Sequence, residues 1–124
     1  MKQLLLVGFG GFIGSIARYL VSKLNLTWYF HDIPMGTLTV NILGSILIGF
    51  FLGIFVNSEL LNTNLKLFLV VGICGGFTTF SSFTNENFQL LQNGQFLTSA
   101  VYALGSLLFG VLAVYLGYLI SNLL

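Results

Sequence analysis

The chain has 124 residues, 56% of them hydrophobic and only 6% charged, with a net charge of +1. A soluble domain carries about 25% charged residues, so this composition excludes an ordinary soluble protein, and the lack of a basic tract excludes a nucleic-acid partner. The single cysteine, Cys74, excludes an intramolecular disulfide and a cysteine-built metal cluster, and its plain reading is a small apolar filler.

Four segments reach the roughly 20 apolar residues that a membrane-spanning helix needs. The first covers about 4–24. Lys2 ahead of an apolar run, with Ser15-Ile16-Ala17 behind it, imitates a signal peptide. Three further spans and the packing glycines Gly10 and Gly14 favour a resident helix instead. Arg18 sits late in this span. An arginine at the bilayer centre costs about 2.5–3.5 kcal/mol on insertion scales, so Arg18 either snorkels to the interface or raises the local potential for an anion. Trp28, Tyr29, Phe30 and His31 follow, the kind of aromatic cluster that settles at headgroup depth. His31 reads as an interfacial residue rather than a ligand.

The second span covers about 36–56. Thr37, Asn41, Ser45, Gly49 and Gly53 recur every four residues and so share one face. Small-residue stripes let helices approach closely in lipid, within one subunit or between two. Asn41 is too polar for a lipid-facing position, and two readings of it stand: it glues helices together, or it lines a path.

The third span, about 66–91, is interrupted by Gly75 to Phe83, which read GGFTTFSSF. Irregular backbone at membrane depth survives only where protein or a water-filled cavity covers it. Such interruptions mark sites for ions or polar solutes in transport proteins. Phe80 and Phe83 lie three residues apart, on one helix face. A phenyl ring has a positive edge, so paired rings can present edges to a small anion; in a chain with 13 phenylalanines, plain lipid-facing or packing roles compete. Glu86 lies beyond the interruption, where exposure to water explains it. The fourth span, about 96–120, carries Tyr102 and Ser106 one turn apart.

The connections, 25–35, 57–65 and 92–95, are short, so residues 1–124 form one all-α membrane domain. Lys2 and Lys66 fall on one side of the bilayer, Arg18 and Lys23 on the other. The positive-inside rule therefore gives almost no orientation bias, which permits insertion both ways and an antiparallel homodimer. No nucleophile–base pair is visible, so an enzyme is not expected.

Three stretches are similar to the small fluoride channels called Fluc or CrcB: GFGGFIGSIARYL at Gly8 to Leu20, PMGTLTVNILGSILIG at Pro34 to Gly49, and GICGGFTTFSSF at Gly72 to Phe83. The likeness covers nearly the whole chain. It implies four transmembrane helices with a broken third helix, an antiparallel dual-topology homodimer, and two fluoride pores built from both subunits. By position it assigns Asn41, Phe80 and Phe83 to the pore, with Thr39 and Ser81 as neighbouring hydroxyls and Ser106 on the fourth helix. It assigns Arg18 to an anion vestibule, and the carbonyls of Gly75 and Thr78 to a structural sodium ion on the dimer axis. Gly110 and Val114 stand where the family often continues a polar track, which leaves the path along the fourth helix open. The implied activity is passive export of fluoride across the plasma membrane. A small antiparallel multidrug exporter is the alternative, but that class relies on a glutamate in its first helix and this chain has none there.

Overall fold

The computed structural model describes residues 1–57 and 62–124. Its helices are the long apolar segments of the sequence. α1 (Lys2–Ser22) runs into a short 3-10 turn, Lys23–Leu26. α2 is Met35–Asn57. The third span begins with α3, which starts at Thr63–Lys66, widens into a π-helical stretch at Leu67–Cys74 and closes with Gly75–Phe77. Its second part is α4 (Phe80–Gln92), and the last span is α5 (Phe96–Asn122). Four helical stretches, Lys2–Leu26, Met35–Val56, Thr63–Gln92 and Phe96–Asn122, are long and apolar enough to cross a membrane. The chain is a multi-pass membrane protein. The expected 57–65 connection lies partly outside the described residues.

Side chains such as Leu5, Phe12, Leu104 and Val111 point outward and stay exposed, as a lipid-facing surface requires. The interior is made by small residues. α1 packs on α3, and the two glycine pairs meet. A Cβ on Gly10 would stand 2.5 Å from the Phe68 carbonyl oxygen and 2.9 Å from Gly72 Cα, and one on Gly76 would stand 2.7 Å from the Gly11 oxygen. α2 packs on α5 by the same device: a Cβ on Gly49 would meet the Val114 carbonyl carbon at 2.8 Å, and one on Gly117 would meet Phe50 N at 2.8 Å. These glycines are therefore used within one subunit, where close main-chain approach gains van der Waals contact that lipid cannot replace.

The loop between α1 and α2 is an unexpected feature. Tyr29–Phe30 and Ile33–Pro34 pair as a two-residue antiparallel hairpin, turned by His31 and Asp32, both at positive φ (48° and 69°). Two consecutive left-handed residues give the primed turn that suits a hairpin's twist. The sequence lacks the glycine that signals such a turn. At the other end of the third span, Gly94 (φ 76°) ends α4 so that Gln95 N returns to the Leu90 carbonyl at 2.8 Å.

Candidate functional site

The site grows from Thr78 and Thr79. Thr78 N still bonds the Cys74 carbonyl at 3.0 Å, the last turn of α3. Both residues are then extended (Thr78 ψ 156°, Thr79 φ −145° and ψ 117°), and helix resumes at Phe80. Buried main-chain groups need partners at this depth. Asn41 of α2 supplies them. Its Oδ1 accepts from Thr79 N at 2.8 Å and its Nδ2 donates to the Thr79 carbonyl at 3.0 Å. Thr79 is buried and caps α4, its Oγ1 accepting from Ser82 N at 3.2 Å and donating to Ser82 Oγ at 3.1 Å.

This arrangement has a consequence for two carbonyls. In an unbroken helix Thr79 N would serve Gly75 O, and Ser82 N would serve Thr78 O. Both amides go instead to side-chain oxygens, of Asn41 and of Thr79. The Gly75 and Thr78 carbonyls are relieved of their i+4 donors. Gly75 also lacks a side chain, and a Cβ there would meet only the Val70 oxygen, at 3.8 Å. Main-chain oxygens released from their i+4 donors are the hard ligand type that a small cation takes, so the donor chemistry of the residues assigned to sodium suits that ion. No group of three or more histidine, cysteine or acidic side chains is placed to hold a metal among the described residues.

Asn41, Ser45, Ile48, Thr78, Thr79 and Phe80 line one open cleft. Asn41 has spent one N–H and one lone pair on Thr79, which leaves its second N–H to offer. Ser81 is exposed beside it, its Oγ 3.4 Å from Thr79 Oγ1. On the α1 side, Arg18 lines a second cleft with Ser15, Ser22, Thr79 and Ser82, and no acidic side chain lines it.

The rings form a line leading away from the interruption. Phe80 is 77% exposed on the single chain. Its centroid lies 6.0 Å from that of Phe83, which meets Tyr102 of α5 edge-on at 5.1 Å. Tyr102 OH donates to Glu86 Oε2 at 2.6 Å. Ser106, one turn along α5, has its Oγ sealed from solvent without a hydrogen-bond partner among the described residues. Thr39 is half-buried on α2 and is not among the residues lining either cleft.

Sequence reasoning placed Glu86 in water; the structure corrects this. Glu86 is half-buried and accepts from Tyr102, from Thr37 Oγ1, and from Asn25 Nδ2 at 3.3 Å. Asn25 also donates to Thr37 Oγ1 at 2.8 Å and accepts from Thr37 N at 3.0 Å. One carboxylate thus ties the end of α1, the start of α2, α4 and α5 together. The only sequence signal was that Thr37 heads the polar stripe of α2. His31 lies exposed in the hairpin turn, its ring 4.5 Å from that of Phe30.

Comparison with known proteins covers almost the whole chain. The model of the family described as "CrcB-like protein, Camphor Resistance (CrcB)" matches residues 5–118. The chain is 44% identical over 122 residues to a protein of Azobacteroides pseudotrichonymphae, covering 98% of each. It is 50% identical over 117 residues to one from Chlorobium chlorochromatii, covering 93% of this chain and 88% of that one. A Phocaeicola vulgatus protein is 44% identical over 122 residues, covering 98% of this chain and all of its own. All three relatives are named "Fluoride-specific ion channel FluC".

Proposed function

We propose, from the premise that this chain belongs to the CrcB-like family, that it is a fluoride channel of the cell membrane and not an enzyme. The carrying observation is the near full-length identity to proteins named as fluoride channels. The geometry around Thr79 supports the reading. Fluoride is strongly hydrated, and a path that passes it must replace water with fixed donors, in several weak sites that also allow exit. The free N–H of Asn41, the Ser81 hydroxyl and the edges of Phe80 and Phe83 provide such donors. Arg18, sharing its cleft with the hydroxyl residues Ser15, Tyr19, Ser22, Thr79 and Ser82 and with no acid among the described residues, raises anion concentration at the vestibule. The Ser106 hydroxyl, buried without a partner among the described residues, has a donor to offer on α5, and Thr39 on α2 is assigned to the path by family likeness alone.

The finer reading has two copies of the chain packed antiparallel. Phe80, exposed on one chain, then meets protein rather than lipid, and the pair encloses two pores. The carbonyls of Gly75 and Thr78 from each copy would hold a sodium ion on the shared axis, where it supplies a fixed positive charge and pins the two third spans together. Transport is passive. Hydrogen fluoride enters cells as a neutral acid, dissociates in a less acidic cytoplasm, and the trapped anion leaves down its electrochemical gradient. α1 contains no acidic residue, which removes the coupling group that a small multidrug exporter uses.

Efflux from liposomes holding the purified protein tests the reading. Fluoride leaves rapidly and chloride is retained; equal rates for the two ions, or retention of both, overturn it.

A further inference from the structure

The acidic residues are unevenly placed. The chain has three, and Glu59 lies outside the described residues. The other two, Asp32 and Glu86, line the same cleft, together with Gln89, Asn93 and Gln95. Their situations differ. Glu86 is half-buried with donors on both oxygens, from Thr37, Asn25 and Tyr102. Asp32 is exposed at the tip of the hairpin, and Gln95 Nε2 donates to its Oδ2 at 3.1 Å. The turn holding it is built from two non-glycine residues in the left-handed region, a backbone conformation uncommon outside Gly, Asn, Asp and His. The hairpin and the Gln95 bond together fix where the Asp32 charge stands.

That place matters because of what leads to it. Phe80, Phe83, Tyr102 and Glu86 form an unbroken series of contacts from the Asn41 cleft, and Glu86 opens onto the cleft that Asp32 rims. An anion following this series meets the Asp32 carboxylate at the mouth.

We propose that Asp32 is a rate-setting charge at one mouth of the conduction path, holding fluoride passage below what the interior of the pore allows. The proposal rests on the fluoride-channel reading. Glu86 stabilises the interior, while Asp32 acts through space on the local anion concentration. One charge about 10 Å from an ion's track in water changes that concentration about twofold before screening. The screening length is about 30 Å at 0.01 M salt and about 3 Å at 1 M, so the effect belongs to low ionic strength.

Fluoride efflux from liposomes is measured for the full chain and for Asp32→Asn, Asp32→Lys and Asn93→Asp, at about 10 mM and about 1 M ionic strength. At low ionic strength Asp32→Asn runs about 1.5-fold faster, Asp32→Lys about 2–3-fold faster, and Asn93→Asp, which adds a charge to the same cleft, about 1.5-fold slower. At high ionic strength all four agree. Rates that do not follow the order of charge, or differences that persist at high salt, overturn the proposal while leaving the channel reading intact. A native chain that passes no fluoride overturns both.

Discussion

Where α1 crosses α3, facing glycine pairs bring two main chains into contact; a few residues further along the same span, at Thr78 and Thr79, the chain is held by the side chain of Asn41 instead. The first region is apolar and filled to the last atom. It tolerates no added volume, and its contacts are main-chain atoms that lie where they do because no Cβ intervenes. The second is polar, open to a cleft on one side, and depends on which donors and acceptors are present rather than on how much space they fill. Packing by glycine gives the third span a rigid anchor. The interruption beyond it can then hold extended backbone and an exposed Phe80 ring at membrane depth without unravelling.

That contrast can be broken first from the packed side. A Cβ on Gly14 would stand 2.9 Å from Phe77 N and 3.0 Å from the Ile73 carbonyl carbon, so Gly14→Val forces main chains apart. Overpacking that shifts backbone costs about 1–3 kcal/mol and occasionally more. The variant is expected to lose its native elution profile in detergent, read by size-exclusion chromatography; a native profile with unchanged thermal stability would place the α1–α3 contact elsewhere. From the polar side the stability effect is smaller. Thr79→Ala removes the cap of α4 and its bonds to Ser82. Loss of an N-cap costs about 1 kcal/mol, so the melting temperature falls by a few degrees while the native elution profile persists. A drop as large as that of Gly14→Val would mean that the interruption, not the glycine contact, anchors the span.

The two regions were also unequally legible. Hydropathy places the helices well: the spans expected at 4–24, 36–56, 66–91 and 96–120 correspond to Lys2–Leu26, Met35–Val56, Thr63–Gln92 and Phe96–Asn122. Length and apolarity alone fix these, because a helix is the economical way to satisfy the backbone in lipid. Glycine spacing marked Gly10, Gly14, Gly72 and Gly76 as contact points but left open whether the partner lay in the same chain.

The polar contacts resisted reading for a physical reason. Asn41 and Thr79 are 38 residues apart and Asn25 and Glu86 are 61 apart, so no local period relates them. The choice for Asn41 between glue and path was left even by residue type, and the structure shows one amide engaged at Thr79 with an N–H still to offer. The hairpin at 29–34 escaped notice because His31-Asp32 is a rare pair for a primed turn.

Asn41 carries both parts of the proposal: its amide satisfies the Thr79 main chain, and its remaining N–H is the donor proposed for the ion. Asn41→Asp keeps the acceptor for Thr79 N, loses the donor to the Thr79 carbonyl, and puts a carboxylate on the proposed anion path. Fluoride efflux from liposomes is measured for this variant beside the native protein, each checked for its assembled state by size-exclusion chromatography. The variant is expected to elute as the native protein does while its fluoride flux falls to the level of empty liposomes. Flux at the native rate would contradict the proposal.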